Sequence, residues 1–280
     1  MSKHYEIAIL GGGPGGYVAA IRAGQLGYKT VVIDKENLGG ICLNWGCIPT
    51  KSLIKNAEMY DAVKNHSKDF GITVENVSID FAKVIKRSRD ISDRITKNIE
   101  LLVKKNKVDR IRGFGKFVSK NQIDVLGQDG TVIDSIAADK IIIATGAHPK
   151  IFPSIPVDRK NIITSTEAMS LEKQPKDLIV IGAGAIGVEF AYFYSVLGTK
   201  VTIIEMLDNI LPIEDKEVSE TLEKTFKKRG IELYTSTKVL NAQVTEDGVV
   251  VKVEKNGKEI ELKAEKVLSA IGVTGNIEGY

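Results

Sequence analysis

The sequence predicts an α/β fold with two parallel-sheet domains and a small antiparallel meander. A pattern of strand, glycine-rich turn, helix and strand occurs near the N-terminus and is repeated after residue 177. Strands that alternate with helices in this way form parallel sheets. A length of 280 residues, with 43% hydrophobic and 27% charged residues, suits two ordinary globular domains.

The N-terminal half begins with one such unit and continues with two longer helical patterns. The strands are short apolar runs, and the helices carry apolar residues at helical spacing. Gly27 ends the first helix. The predicted elements are a strand at 5–10, a glycine turn at 11–16, a helix at 17–26, a strand at 30–33, and helices at 50–65 and 78–105.

An alternating region precedes the second unit. Residues 108–136 alternate in polarity around a turn at 127–130, which indicates an antiparallel meander. Proline is densest between residues 147 and 177, so we expect the connection between the domains there. The remaining predicted elements are strands at 140–144 and 178–181, a glycine turn at 182–187, a helix at 188–197, a strand at 201–204, and hairpin and strand segments at 239–254 and 258–271.

The charge balance gives no reason to propose a nucleic acid or a membrane as partner. Lys and Arg total 39 and Asp and Glu total 36, so the net charge is only +3. No run of 18 apolar residues predicts a membrane span. The N-terminus has no apolar core followed by a small-residue cleavage site. We therefore expect a cytoplasmic protein, or the mature form of one imported into the mitochondrial matrix.

The first glycine turn matches a pattern that binds dinucleotides. Gly11, Gly13 and Gly16 permit, in that order, a tight turn, a close approach of the backbone to a pyrophosphate, and close packing of helix on strand. The free N–H groups of the following helix N-terminus would face the phosphates. Asp34 ends the next strand, 23 residues after Gly11, where a ribose-binding carboxylate belongs. The alternative is that Asp34 is only a turn residue at a strand end.

The second glycine turn repeats this spacing with Gly182, Gly184 and Gly187. Glu205 again follows the first glycine by 23 residues. A carboxylate here accepts hydrogen bonds from a ribose 2′-hydroxyl and repels a 2′-phosphate, and no arginine follows Glu205 to receive that phosphate. The second unit is therefore predicted to bind NAD. Two Rossmann-like dinucleotide-binding domains suit hydride transfer between two cofactors.

The two cysteines, Cys42 and Cys47, lie five positions apart. In a regular helix their side chains would diverge by about 140°, whereas a disulfide needs Cα atoms within about 7 Å. A bridge would therefore require a distorted segment, for which Gly46 supplies the freedom. Pro49 suits the first turn of a helix that begins near Cys47, and a helix N-terminus favours the thiolate form. Redox chemistry is one candidate function of the pair.

Two alternatives for the cysteines stay open from the residues alone. A zinc site would need two further ligands, and the chain offers only His4, His66 and His148. No metal is predicted for this reason. The cysteines could also be two unrelated buried thiols.

Residues 39–51 (GGICLNWGCIPTK) resemble the redox-active segment of the class I pyridine nucleotide–disulfide oxidoreductases. Residues 141–146 (IIIATG), 164–169 (TSTEAM) and 270–272 (AIG) resemble the family's strand-end motif beside FAD, the lead-in to its NAD domain and its return crossover. The chain is most similar to the members that oxidise protein-bound dihydrolipoamide with NAD in the 2-oxo acid dehydrogenase and glycine cleavage complexes. This resemblance implies a flavoprotein with FAD and NAD as cofactors, a lipoyl domain as partner and a homodimer.

The resemblance also implies a role for each site residue. Cys42 would exchange with the lipoyl disulfide, Cys47 would pass electrons to the flavin, and Lys51 would approach the flavin ring with Glu189 as its ion partner. Asp34 stands where glutamate is usual, and Trp45 fills a position that usually holds a smaller residue. FAD would contact Gly11, Gly13, Gly16, Asp34, Gly115, Ala144, Thr145 and Gly146. NAD would contact Gly182, Gly184, Gly187, Glu205, Val239 and Gly272.

The resemblance places the domains as well. We expect an FAD-binding domain at 1–146 that lacks its C-terminal segment, an NAD-binding domain at 147–271, and the start of the return crossover at 272–280. The family continues with another FAD-binding segment, an interface domain and a His–Glu pair that acts as acid/base in the partner subunit. No residue here matches that histidine, so we expect the chain alone to be catalytically incomplete.

Two other functions stay open. Another reductase of the family, such as one for glutathione or mercuric ion, is disfavoured by Glu205 and by residues 48–51 (IPTK). A nucleotide-binding module without redox activity is the second.

Overall fold

A computed structural model of the protein describes residues 3–280. The helices are α1 (Pro14–Gln25), α2 (Gly40–Asn44), α3 (Cys47–Asp61), α4 (Phe81–Lys105), α5 (Ser165–Ala168), α6 (Ala185–Val196) and α7 (Lys216–Lys228), and a π turn (Ala62–His66) and a 3-10 turn (Ser67–Phe70) follow α3. The strands are β1 (Lys3–Leu10), β2 (Thr30–Asp34), β3 (Asp109–Arg112), β4 (Phe114–Ser119), β5 (Gln122–Leu126), β6 (Val132–Ile143), β7 (Ala147–Pro149), β8 (Ile162–Ile163), β9 (Asp177–Ile181), β10 (Lys200–Ile204), β11 (Glu232–Tyr234), β12 (Thr237–Thr245), β13 (Gly248–Lys255), β14 (Lys258–Ala264), β15 (Lys266–Ser269) and β16 (Val273–Gly275).

The described residues divide into two compact units. The first contains the chain up to Pro49, Arg89–His148 and Thr274–Tyr280, and the second contains Thr50–Ser88 and Pro149–Val273. Residues 50–88 fall in the second unit because their apolar side chains, including Leu53 and Ile85, share a core cluster with α6. The predicted domain bounds stay predictions.

The first unit is built on one mixed sheet with the strand order β3-β2-β1-β6-β5-β4. β1, β2 and β3 are parallel, and β6 is parallel to β1 but antiparallel to β5. The predicted meander is β4, β5 and the first half of β6. The prediction was wrong for β3, which lies in the alternating region yet pairs in parallel with β2. Its four residues are too few for periodicity to distinguish the two kinds of pairing.

The second unit contains a parallel sheet and an antiparallel sheet. The parallel sheet has the order β11-β10-β9-β15-β8, and β12, β13 and β14 form the antiparallel one. Helix α6 packs on the parallel sheet with Phe190, Phe193 and Tyr194 all buried. The hydroxyl of Tyr194 donates a hydrogen bond of 2.6 Å to the carbonyl of Ala168, so its one polar atom is satisfied in the core. The predicted α/β fold class is confirmed.

Four helix starts differ from the prediction by three residues. Helix α3 begins at Cys47 rather than residue 50, and α6 begins at Ala185 rather than residue 188. Helix α1 begins at Pro14 rather than residue 17, because proline is well suited to the first turn of a helix. Helix α4 begins at Phe81 rather than residue 78, after Asp80, whose carboxylate accepts a hydrogen bond of 3.0 Å from the backbone N–H of Lys83. Within residues 3–280, no helix combines the length and apolar character needed to cross a membrane.

Candidate active site

The first glycine turn joins β1 to α1. Gly11 has a φ of +102°, which an L side chain rarely adopts, and a Cβ there would lie 2.1 Å from the carbonyl oxygen of Ala144. A Cβ on Gly16 would lie 1.8 Å from the carbonyl oxygen of Gly11. Gly13 caps α1 without any side-chain hydrogen bond, and a Cβ there would approach no atom closer than 3.7 Å. The helix N-terminus therefore stays accessible to a pyrophosphate.

Asp34, at the end of β2, closes this turn. Its carboxylate accepts short hydrogen bonds from the backbone N–H of Gly12 and, at 2.7 Å, from that of Glu36. A small cavity of about 50 Å³ beside it is lined by Gly11, Asp34, Gly115 and Thr145, among others. The structure therefore brings these four predicted residues together.

Two aromatic residues that the sequence did not single out also line this cavity. The ring centres of Phe114 and Tyr280 lie 4.7 Å apart. Burial raises the pKa of the Tyr280 hydroxyl. Thr145 Oγ1 donates a hydrogen bond of 2.8 Å to the carbonyl of Asn276, and the carbonyl of Gly146 accepts one of 3.0 Å from the N–H of Asn276. The strand-end motif 144–146 is thus held in place by the segment around residue 276.

The second glycine turn joins β9 to α6 and repeats the first. Gly182 has a φ of +100°, and a Cβ on Gly187 would lie 1.9 Å from the carbonyl oxygen of Gly182. A Cβ on Gly184 would have no atom within 4 Å. Gly187 is therefore required for packing the helix against the turn, whereas Gly184 leaves open space for a ligand.

Glu205 closes the second turn as Asp34 closes the first. It is only 8% exposed, and its carboxylate accepts hydrogen bonds of 2.7 Å from Ala183 N–H and 2.9 Å from Leu207 N–H. It lines a cavity of about 590 Å³ together with the other predicted NAD residues except Gly187, namely Gly182, Gly184, Val239 and Gly272. Apolar side chains that the sequence did not indicate, including Phe152 and Met206, complete the lining. A cavity of this size and character suits a nucleotide.

The two cysteines form a disulfide across a break between two helices. α2 ends at Asn44, Trp45 and Gly46 make the break, and Cys47 is the first residue of α3. The Cα atoms of Cys42 and Cys47 lie 4.6 Å apart. This confirms the distorted segment, although the reason for the glycine differs from the expected one. Gly46 does not have a positive φ; a Cβ there would approach the carbonyl oxygen of Ile41 to 3.0 Å.

The link between the cysteines is held from α4 by residues that the sequence did not single out. Asn44 Nδ2 donates to the carbonyls of Leu38 and Gly40 at 3.1 and 3.0 Å, and Thr96 Oγ1 donates to Asn44 Oδ1 at 3.0 Å. Arg89 donates a short hydrogen bond to the carbonyl of Asn44. Its guanidinium carbon lies 4.5 Å from the centre of the Trp45 ring. No local pattern connects residues 44 and 89, so sequence reasoning had no signal for these contacts.

Lys51 and Glu189 form an ion pair within the second unit. Lys51 lies in α3, one helical turn after Cys47, and its Nζ lies 2.5 Å from Oε1 of Glu189 in α6. The structure thus brings together the two residues that the resemblance paired. Their role beside a flavin stays a prediction. Across residues 3–280, no three His, Cys, Asp or Glu side chains are grouped as a metal site would require.

Two glycine turns closed by carboxylates and a disulfide at a helix N-terminus define a nucleotide-linked disulfide oxidoreductase. The chain matches the family described as pyridine nucleotide-disulphide oxidoreductase over residues 5–280, and it belongs to that family.

Several similar proteins carry the more specific name dihydrolipoyl dehydrogenase. The chain is 44% identical over 279 residues to dihydrolipoyl dehydrogenase of Chlorobaculum parvum, covering 99% of this chain and 59% of the relative. It is 41% identical over 288 residues to dihydrolipoyl dehydrogenase of Bacillus subtilis, with 100% and 60% covered. The crystal structure of LpdA from Mycobacterium tuberculosis matches with a TM-score of 0.89 and 29% identity over 99% of this chain and 60% of that one. The chain thus spans about three fifths of the length of these proteins.

Proposed function

We propose that the chain carries the electron path of a dihydrolipoyl dehydrogenase, which oxidises protein-bound dihydrolipoamide with NAD. The observation that carries this proposal is the Cys42–Cys47 disulfide at the start of α3. It counts against a nucleotide-binding module without redox activity. The names of the relatives support lipoamide as the substrate.

The disulfide accepts two electrons from the substrate. A thiolate of dihydrolipoamide attacks Cys42 and releases the sulfur of Cys47. The second substrate thiol then closes the lipoyl disulfide and releases Cys42, so that two thiols are oxidised and two are formed. Cys47 is suited to leave because the N-terminus of α3 favours its thiolate form.

The two glycine turns, each closed by a carboxylate, would hold two dinucleotides. FAD would be held at the first glycine turn by Gly11, Gly13, Gly16, Gly115 and residues 144–146, with Asp34 at its ribose. When bound, FAD would supply the two-electron chemistry that links the cysteine pair to NAD. Gly182, Gly184, Glu205, Val239 and Gly272 line the larger cavity. These residues would hold NAD, with the glycines at its pyrophosphate and Glu205 at its ribose. Lys51, which pairs with Glu189, would be the residue that acts beside the flavin ring.

The partners follow from the same proposal. A lipoyl domain of a 2-oxo acid dehydrogenase or glycine cleavage complex delivers the substrate, and a second copy of the subunit forms a homodimer. The expectation that the chain alone turns over little lipoamide stays a prediction.

Thiol counting tests the proposed redox step without requiring turnover. The oxidised protein is treated with dihydrolipoamide under argon, separated from it by gel filtration, and titrated with a chromogenic disulfide. We expect two new thiols per chain and one lipoamide formed. The C47S variant, whose single thiol cannot form the bridge, should titrate one thiol before and after. If dihydrolipoamide yields no new thiols in the wild-type protein, the proposal is wrong. NADH formation after addition of FAD then measures turnover.

A further inference from the structure

The side chain of Arg89 contacts the link between the two cysteines. Its guanidinium donates a hydrogen bond to the backbone carbonyl of Asn44, the last residue of α2. The same group lies 4.5 Å from the centre of the Trp45 ring, within cation–π distance. Asn44 and Trp45 are two of the four residues between Cys42 and Cys47.

A second side chain of α4 fixes the same link. Thr96 follows Arg89 by seven residues, which is two helical turns, so both side chains lie on one face of α4. Thr96 holds the side-chain amide of Asn44, and Arg89 holds its carbonyl. The end of α2 is therefore attached to α4 at two points.

The placement of Arg89 carries a cost for stability, although the nearby carboxylate of Asp93 favours its charge. Burial lowers the pKa of its guanidinium, and its Nη1 is buried with no hydrogen-bond partner within residues 3–280. A buried polar group without a partner is destabilising. Replacement by an apolar residue would remove that cost, so the value of the arginine lies in what it contacts.

The two contacts require an arginine in particular. A guanidinium is planar and can stack on an indole while its edge donates to a carbonyl, whereas an ammonium is compact and cannot do both with one geometry. The tryptophan supplies the flat surface that this arrangement needs.

We propose that Arg89 is a positioning residue of the disulfide. By holding Asn44 and Trp45 at the break between α2 and α3, it keeps the sulfurs of Cys42 and Cys47 close together after reduction and so favours the disulfide over the dithiol. This inference rests on the proposed redox role of the cysteines and adds a determinant of their equilibrium.

Equilibration with glutathione tests the proposal. Two glutathione thiols reduce the Cys42–Cys47 disulfide to two thiols and become one glutathione disulfide, so the equilibrium constant reports how strongly the fold favours the bridge. Three variants are compared. R89M removes the charged guanidinium, R89K keeps a positive charge but removes the planar guanidinium, and W45V removes the indole ring. R94M is the matched control, since Arg94 is an exposed arginine of the same helix.

We expect R89M and R89K to shift the equilibrium toward the dithiol by about tenfold, as expected for loss of one charge-assisted contact. W45V should shift it by about threefold, and R94M by less than about twofold. Circular dichroism shows whether each variant is folded at the temperature of measurement. If R89M is unfolded, the equilibrium constant of R89K is the test of the proposal. The proposal is overturned if the folded Arg89 variants equilibrate like the wild type, or if neither folds, because Arg89 would then serve stability. This equilibrium can be measured even if dihydrolipoamide proves not to be a substrate.

Discussion

Lys51 Nζ lies 2.5 Å from Glu189 Oε1, joining α3 to α6 across 138 residues of sequence. The lysine side chain is 62% exposed and that of the glutamate 27%. An ion pair so open to solvent contributes little to folding. Its value in the proposed enzyme is therefore to orient the lysine.

The E189Q variant should separate a role of the ion pair in stability from a role in orienting Lys51. We expect its free energy of unfolding in urea to change by less than about 1 kcal/mol, while dihydrolipoamide reduces added FAD on the protein about tenfold more slowly because Lys51 has lost its charged partner. Flavin bleaching under argon measures the rate. E58Q, which removes the partner of Lys55 one turn further along α3, is the control and should alter neither quantity. Equal rates for E189Q and wild type would contradict the proposed role of the pair.

Two glycines of the second turn should respond to alanine in different ways. In G187A the new methyl group would lie 1.9 Å from the carbonyl oxygen of Gly182, so we expect a loss of about 3 kcal/mol or more, or failure to fold. In G184A the methyl group meets no protein atom within 4 Å, so folding should be nearly unchanged. NAD affinity should nevertheless fall at least about tenfold, because the methyl group occupies the approach of the pyrophosphate. Calorimetric titration of G184A with NAD measures this affinity. An unchanged affinity would show that the second glycine turn does not bind NAD.

Removing the carboxylate of Glu205 should affect both stability and nucleotide choice. E205A leaves the N–H groups of Ala183 and Leu207 without their acceptor, so we expect a loss of about 1–3 kcal/mol in thermal or urea unfolding. E205Q keeps one amide oxygen as acceptor and should lose less. Both variants should narrow the preference for NAD over NADP, because the charge that repels a 2′-phosphate is gone. D208N, an exposed change three residues away, should leave the preference as it is.

The ion pair of Asp61 and Arg229 should give stability a defined dependence on pH. Arg229 donates a hydrogen bond of 2.9 Å to Asp61 Oδ2, which is the main reason that the pKa of Asp61 lies below its ordinary value of 3.8. A lowered folded-state pKa stabilises the protein fully above the unfolded-state pKa, and this contribution is lost as pH falls through the folded value.

The D61N variant measures that contribution. We expect it to be less stable than wild type by about 1–2 kcal/mol at pH 7, between the values for exposed and buried pairs. The difference should shrink once the pH falls below about 3.8 and vanish below the folded-state pKa. D69N, which removes an exposed carboxylate near the end of the same helical segment, is the control. A constant difference between D61N and wild type from pH 7 to pH 3 would exclude this linkage.

Much of the fold could be predicted because its signals are local. The glycine turns, the short buried strands beside them and the carboxylates 23 residues later are all defined within one strand–helix–strand unit. Such units depend on nearby residues and on a spacing set by geometry. Strand β3 was missed because a four-residue strand has no periodicity of its own, and its parallel pairing depends on β2 far earlier in the chain.

The candidate site was predictable only in part. The cysteine spacing and Glu205 indicated the chemistry, and the family resemblance paired Lys51 with Glu189. Arg89 and Tyr280 could not be found, because their contacts with Trp45 and Phe114 depend on how distant segments pack. The reason for Gly46 was also hidden, since a close approach to the carbonyl of Ile41 exists only in three dimensions.

The break between α2 and α3 affects how many cycles of reduction and oxidation the disulfide can undergo. Asn44 is tied to Leu38, Gly40 and Thr96 by hydrogen bonds that do not involve sulfur. A bridge closing so short a loop adds only about 2 kcal/mol through chain entropy. The segment can therefore keep its shape whether the sulfurs are joined or apart. We therefore expect little change in backbone conformation when the disulfide is reduced or re-formed. The segment could then be oxidised and reduced many times without unfolding.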